Sequence, residues 1–160
     1  LDKEFPALIK RIIEEVGIVS SELELEVTES VVQTDPRNLS IFQNLKDLGV
    51  LLAIDDFGTG YSSFASLKHL KVDYLKIDKY FVDDMLVDNQ ALILISSMIE
   101  MGHKLGYGII AEGVEKSEQL DLLRSLGCEK VQGYLFSKPV DADTISKLLV
   151  SRQHKLDKTV

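Results

Sequence analysis

Two adjacent aspartates, Asp55 and Asp56, directly follow the apolar segment Val50 to Ile54. Neighbouring carboxylates repel one another unless a cation holds them, and Mg²⁺ and Mn²⁺ prefer oxygen ligands of this kind. Two such ions that share one carboxylate can activate water and stabilise a leaving oxygen. In the alternative interpretation, one aspartate accepts hydrogen bonds from backbone amides of the glycine-rich turn 57–60. The aspartate pair alone favours neither interpretation.

Polar side chains also stand at or near the ends of four other apolar segments: Glu26, Lys76, Glu112 and Gln132. In parallel α/β proteins, ligand sites lie at the carboxyl ends of the strands. A single carboxylate in such a position more often caps a helix or stays in solvent. Its recurrence on several segments weakens that alternative. A lysine among acidic residues could balance their charge or carry part of the charge that develops on a phosphate.

Alternation of strand-type and helix-type periodicity predicts the elements that position these residues. The predicted strands lie at 23–27, 50–54, 74–77, 108–111 and 130–136. The predicted helices lie at 5–16, 38–48, 62–70, 89–105, 118–126 and 144–150. Ser117 is the predicted cap of the fifth helix, and the fourth has so many apolar positions that we expect it to be well buried. Five strands with crossover helices fit either an open doubly wound sheet or part of a (β/α)8 barrel.

Composition limits the function classes. The chain has 160 residues, of which 45% are hydrophobic, so one domain with a sizeable core is expected. A formal net charge of -8 argues against binding of a nucleic acid polymer, which depends on basic side chains. We expect no membrane insertion, because no apolar segment approaches the about 18 residues that a spanning helix needs. The single cysteine, Cys128, fits a reducing compartment, and no signal peptide is visible, so a cytoplasmic location is predicted.

Four sequence blocks contain these polar residues: Leu25 to Ser30, Asp55 to Ser63, Leu75 to Asp78, and Ala111 to Glu115 followed by Gln132, Gly133 and Tyr134. Together they resemble the EAL family of cyclic di-GMP phosphodiesterases. Their order and spacing also match, and the resemblance extends to about Val140.

The resemblance implies a (β/α)8 barrel of the TIM type, represented here by about its last five β/α units. Residues 1–150 would be the C-terminal portion of one EAL domain, and 151–160 a polar tail. The implied activity is hydrolysis of cyclic di-GMP to the linear dinucleotide pGpG with two Mg²⁺ or Mn²⁺ ions. A homodimer is also implied for the parent protein.

The family's functional residues transfer to matching positions of this sequence. Glu26, Asp55 and Asp56 would hold the metals, with Asp55 as the bridge. The resemblance assigns the remaining positions as follows: Glu112 and Lys76 orient or deprotonate the attacking water, Gln132 and Asp78 bind substrate, and Glu29 steadies the loop 57–63 that couples metal binding to dimerisation.

Two features of the family have no counterpart in this sequence, namely the Glu-Ala-Leu block and a metal-binding asparagine. Residues 1–16 resemble the helix that follows that asparagine, so we expect the sequence to begin partway into the domain. A complete barrel of this type needs about 250 residues. The chain alone is therefore expected to be inactive.

Three functions remain open from the sequence. The first is a catalytic phosphodiesterase. The second is a degenerate regulatory module that binds cyclic di-GMP or a protein partner without turnover. The third is an unrelated metal-dependent barrel enzyme that acquired acidic strand ends independently.

Overall fold

The computed structural model describes residues 2–28, 31, 37–59 and 71–156. Within these residues the chain forms five strands, which are β1 (Glu24–Thr28), β2 (Leu51–Phe57), β3 (Tyr74–Ile77), β4 (Gly108–Ala111) and β5 (Lys130–Val131). The helices of the same described residues are α1 (Phe5–Val16), α2 (Arg37–Asp47), α3 (Lys79–Asp84), α4 (Asn89–Leu105), α5 (Ser117–Ser125) and α6 (Ala142–Leu156), with a 3₁₀ turn at Ser20–Glu22. No helix in the described ranges is long and apolar enough to cross a bilayer.

All four strand pairings are parallel, and the order in the sheet is that of the sequence, β1-β2-β3-β4-β5. Parallel neighbours require crossover connections, which the helices between the strands supply. The carboxyl ends of all five strands therefore lie along one edge of the sheet. This arrangement confirms the predicted α/β class with alternating strands and helices.

The sheet is strongly curved. Lys130 at the start of β5 lies with its Nζ 3.8 Å from Glu24 Oε2 at the start of β1. In a flat sheet these strands would be about 19 Å apart, because neighbouring strands are about 4.8 Å apart, and the two side chains cannot span that distance. The same Lys130 Nζ lies 3.7 Å from the centroid of the Tyr74 ring on β3. The five strands thus curve as a segment of a barrel wall, with these side chains on the concave face.

The opposite, convex face of the sheet packs against helices. Leu75 and Ile109 are fully buried in the core together with Ile95 and Ile99 of α4. Gly102 of α4 lies so close to Ile109 that a Cβ there would overlap its side chain. The strand alternation therefore sends aliphatic side chains outward to the helices and leaves polar residues for the concave face.

Most predicted elements are confirmed to within a few residues, and β3, β4, α1 and α4 have the predicted bounds. The predicted strand 130–136 is wrong beyond Val131, because the chain turns at Gly133 and Leu135 N donates to Val114 O instead of extending a strand. Helix α6 starts before the predicted 144 and continues beyond 150 to Leu156. The predicted helix 62–70 lies outside the described residues.

The expected burial of helix α4 is wrong. Its buried residues, Ala91, Ile95, Ile99 and Gly102, form one stripe that faces the sheet. Ile93 on the other side is 53% exposed. The apolar content of this helix therefore exceeds what its packing against the sheet uses.

The close approach of Gly133 to Val114 generates a stability prediction. A Cβ at Gly133 would overlap the backbone of Val114, whereas Gly106 has open space around it but a φ of +86°. We expect Gly106→Ala to cost about 1–2 kcal/mol of the free energy of unfolding, through left-handed backbone strain. Gly133→Ala should cost about 3 kcal/mol, because backbone atoms cannot move aside as a flexible side chain can. Chemical denaturation of both variants checks this, and an equal or smaller loss at Gly133 would contradict the packing.

Candidate active site

The ammonium group of Lys76 lies among three carboxylates at the carboxyl edge of the sheet. Its Nζ is 2.6 Å from Glu26 Oε1, 2.9 Å from Asp55 Oδ1 and 2.6 Å from Glu112 Oε1. Lys76 is 3% exposed, while the three carboxylates are partly exposed. The four side chains form one compact charged group, which we call the Lys76 cluster.

Four consecutive strands deliver the Lys76 cluster. Glu26 lies on β1, Asp55 on β2 and Lys76 on β3, and Glu112 directly follows β4. The β1–β2 register pairs Thr28 with Asp55, so Asp55 lies further toward the carboxyl edge than Glu26. Curvature of the sheet then brings Glu26 to Lys76 across the intervening strand. The predicted gathering of Glu26, Asp55, Lys76 and Glu112 thus occurs in the structure.

The Lys76 cluster holds its lysine in the charged form. Burial by itself lowers the pKa of Lys76, but hydrogen bonds to Glu112, Glu26 and Asp55 outweigh that effect, so the pKa lies above its ordinary value. Burial raises the pKa of Glu112, and the contact with Lys76 offsets this in part. The site therefore contains a permanent cation beside a carboxylate of increased basicity.

Asp56 occupies a different position from its neighbour. The β2–β3 pairing loses its register between Ile54 and Phe57, and Asp56 adopts a φ of +55°. This left-handed conformation is uncommon outside glycine, asparagine and aspartate. Burial, the nearby charges of Asp55 and Asp78, and a hydrogen bond with Asp78 raise the pKa of Asp56. Asp78 also caps helix α3, since its Oδ1 accepts from Tyr80 N at 2.8 Å.

The donor chemistry of the site fits a hard divalent cation. Glu26, Asp55, Asp56 and Glu112 provide carboxylate oxygens only, the ligand type that such ions prefer. Glu26 contacts Lys76 through Oε1, and Asp55 contacts it through Oδ1. Among the described residues, however, no group of three acidic, histidine or cysteine side chains is arranged to hold a metal ion. The carboxylates that could serve as ligands are instead directed at the ammonium of Lys76.

An open cleft of about 500 Å³ adjoins the Lys76 cluster. Glu112 and Gln132 line it together, along with Lys79, Tyr134 and Lys138. The backbone of Gln132 is held on both sides, because its N–H donates to Ala111 O at 2.8 Å and its carbonyl accepts from Val114 N at 3.0 Å. Gln132 therefore lies at the cleft beside Glu112. Glu29 and part of the loop 57–63 lie outside the described residues.

Two residues near the site were not found by sequence reasoning. Lys79 opens helix α3, which is too short to produce a periodic signal. Gln119 caps helix α5 with its side-chain oxygen, whereas the predicted cap, Ser117, lies inside the helix and hydrogen-bonds to Glu118. A glutamine at the third helical position, as in a capping box, is the signal that points to Gln119 once Lys116 is taken as the N-cap.

Comparison with known proteins identifies the family. The family model described as the EAL domain matches residues 1–139. This chain belongs to the EAL domain family. The match confirms the resemblance carried by the four sequence blocks, and the curved parallel sheet is the corresponding part of the EAL barrel.

Relatives and solved structures of the EAL domain agree with this assignment. The chain is 39% identical over 150 residues to the cyclic di-GMP phosphodiesterase NbdA of Pseudomonas aeruginosa, a match that covers 93% of this chain and 19% of NbdA. The c-di-GMP complex of the phosphodiesterase PaMucR superimposes with a TM-score of 0.84 at 36% identity, covering 89% of this chain and 58% of that chain. BlrP1 of Klebsiella pneumoniae, solved with manganese and cyclic di-GMP, gives a TM-score of 0.80 at 31% identity, covering 86% of this chain and 36% of that chain. The chain spans about a fifth of the length of NbdA.

The strained and repelled carboxylate of Asp56 generates a prediction about pH. Asp56→Asn removes the charge and keeps a residue type that tolerates positive φ. Because the raised pKa of Asp56 means that its ionised form is disfavoured in the folded state, the asparagine variant should be more stable than the wild type at neutral pH, by no more than about 1 kcal/mol for an exposed side chain. This advantage should disappear as the pH falls below the ordinary aspartate range, where the wild-type carboxyl is protonated in both states.

Denaturant unfolding of the Asp56→Asn variant and the wild type across that pH range checks the prediction. Asp47→Asn on the exposed side of α2 serves as the control. A variant that is less stable than the wild type at neutral pH would contradict the repulsion.

Proposed function

We propose that this chain forms part of a metal-dependent phosphodiesterase that hydrolyses cyclic di-GMP to the linear dinucleotide pGpG. The observation that carries the proposal is the Lys76 cluster, which combines a buried cation and three carboxylates at the carboxyl edge of a parallel sheet. In a barrel of this type, that edge holds the catalytic residues. The similarity to the cyclic di-GMP phosphodiesterase NbdA and to the c-di-GMP complexes of PaMucR and BlrP1 supports the substrate.

Glu26, Asp55 and Asp56 are the residues that would hold divalent metal, with Asp55 as the bridge between two ions. Structures of BlrP1 with manganese or with calcium support a divalent ion in this family. We propose Mg²⁺ or Mn²⁺ as the working metal, because hard ions of this size match carboxylate ligands and phosphate substrates. The metals would polarise a phosphoryl oxygen and lower the pKa of a bound water.

Glu112 and Lys76 divide the remaining chemistry. Glu112 has a raised pKa and is 19% exposed, so it can accept the proton of a water whose oxygen attacks phosphorus. As the new P–O bond forms, the bond from phosphorus to the sugar oxygen breaks, and that oxygen takes up a proton from solvent, to which Glu112 returns the proton that it accepted. Lys76 remains charged, which suits it to stabilise negative charge and not to act as the base.

The family resemblance assigns Gln132 and Asp78 to substrate binding. The cleft position of Gln132 beside Glu112 supports a contact of its amide with the nucleotide. The contacts of Asp78 with Asp56 and with the N-terminus of α3 favour a different role, in which Asp78 holds Asp56 in place.

We retain the homodimer, the support of the loop 57–63 by Glu29, and a cytoplasmic location as predictions.

A regulatory module that binds the nucleotide without turnover is the second candidate. One observation favours it: the three carboxylates of the cluster contact Lys76, and among the described residues none of the acidic groups is arranged around a metal position. Turnover with Mn²⁺ separates the two candidates, because a binding module would retain affinity for cyclic di-GMP and produce no pGpG. Parallel assays with a simple diester such as bis(p-nitrophenyl) phosphate test the third possibility, an unrelated phosphodiesterase without preference for cyclic di-GMP.

Substitutions in the Lys76 cluster test the catalytic proposal. In a complete EAL domain that contains these 160 residues, Asp55→Asn and Glu112→Gln should each lower kcat for cyclic di-GMP by about 10²-fold to 10⁴-fold, since each removes a charge needed in the transition state. Glu100→Gln removes an exposed carboxylate of α4 paired with Lys104 and should leave kcat unchanged. Chromatographic detection of pGpG provides the rates. Wild-type activity in either cluster variant would refute the site assignment.

The 160-residue chain by itself should lack turnover. In the part of the chain that the structure describes, β1 pairs only with β2 and β5 only with β4, so the outer edges of these strands require further strands to close a barrel. The measurement is pGpG formation by the purified chain with Mn²⁺. Activity comparable to that of a complete EAL domain would contradict the expectation.

A further inference from the structure

We infer that Gln119 is a positioning residue that fixes Glu112 relative to Lys76 through a tether to helix α3. The inference rests on the proposed function, because it concerns the alignment of the groups assigned to catalysis. Gln119 lies on α5, outside the Lys76 cluster, and is 2% exposed.

The side chain of Gln119 binds two different parts of the protein. Its Oε1 accepts from the backbone amides of Glu115 and Lys116, both at 2.9 Å. Its Nε2 donates to the carbonyl of Val82 on α3 at 2.9 Å. A buried amide with three hydrogen bonds is expensive to displace, because each lost partner leaves a desolvated polar group. Gln119 therefore joins the segment 112–116, which we call the Glu112 loop, firmly to α3.

Helix α3 is in turn joined to the strand that carries Lys76. Only Ile77 separates Lys76 from Asp78, the N-cap of α3, and Val82 of this helix is fully buried. At the other end of the circuit, Glu112 N donates to Ile77 O at 3.0 Å. Lys76 and Glu112 are thus connected in two ways: indirectly through α3 and Gln119, and directly by their 2.6 Å contact.

An ion pair of Lys79 also joins α3 to the segment 112–116. Lys79 Nζ lies 2.8 Å from Glu115 Oε1 and 2.7 Å from Asp83 Oδ1. The stem of Lys79 fills the space that a side chain at Gly113 would occupy. Because this ion pair is exposed and Gln119 is buried, the glutamine should dominate the tether.

Three variants test the tether in a complete EAL domain. Gln119→Met keeps the size of the side chain and removes all three hydrogen bonds. Gln119→Glu keeps the acceptor for both amides near a helix N-terminus but loses the donor to Val82. Gln43→Met makes the same change at a partly exposed position of α2, where Gln43 bonds only to Asp47 among the contacts described.

We expect Gln119→Met to lower kcat for cyclic di-GMP by about 10-fold to 100-fold, as misplacement of a supporting group does, with KM changed by less than about threefold. Hydrogen exchange at the amides of Glu115 and Lys116 should become at least about 10-fold faster. Gln119→Glu should keep the exchange protection and show an intermediate kcat. Gln43→Met should match the wild type in both measurements.

Unchanged exchange in Gln119→Met would overturn the inference, and so would faster exchange with wild-type kcat. A fall in activity that follows only the fraction of unfolded protein, measured by circular dichroism, would also overturn it. Absence of turnover in the unsubstituted protein would refute the proposed function alone. In that case faster exchange in Gln119→Met would still support the tether, and unchanged exchange would reject it.

Discussion

The contact of Lys76 with three carboxylates is the interaction on which the rest of this site depends. A buried ammonium without partners is costly, and three carboxylates at this spacing would repel one another without a cation between them. The carboxylates therefore stabilise the buried ammonium, and the ammonium offsets the repulsion between the carboxylates. The balance also explains why Lys76 stays charged despite being almost fully buried: hydrogen bonds to Glu26, Asp55 and Glu112 outweigh the desolvation.

Curvature of the sheet favours the cluster. Glu26 and Lys76 belong to strands that are not neighbours, and in a flat sheet β2 would separate them. The two faces of the curved sheet differ in character. Aliphatic side chains such as Leu75 and Ile109 pack outward against α4, while charged side chains face inward. The same curvature brings Lys130 to Glu24 at the opposite edge. The polar concave face is thus a property of the whole sheet and not of any one strand.

Asp56 lies where strand β2 departs from regular geometry. A regular strand would place Asp55 and Asp56 on opposite faces. The break in the β2–β3 register and the positive φ of Asp56 redirect its carboxylate toward Asp78, at the cost of backbone strain and charge repulsion. Such costs persist in proteins mainly where they serve a function. The strained position therefore agrees with the metal-binding role that we propose for Asp56.

The sequence by itself determined the family, the order of the elements and the polar residues at the strand ends, because these depend on local periodicity, on turn residues such as Gly17, and on short motifs. Only the tertiary structure decided which of those residues meet. Register and curvature arise from contacts between distant segments, so the partners of Lys76, the diversion of Asp56 and the end of β5 at Val131 carry no local signal. The exposed side of α4 and the role of Gln119 could not be predicted from the sequence for the same reason, because burial and hydrogen-bond partners are properties of the packed chain.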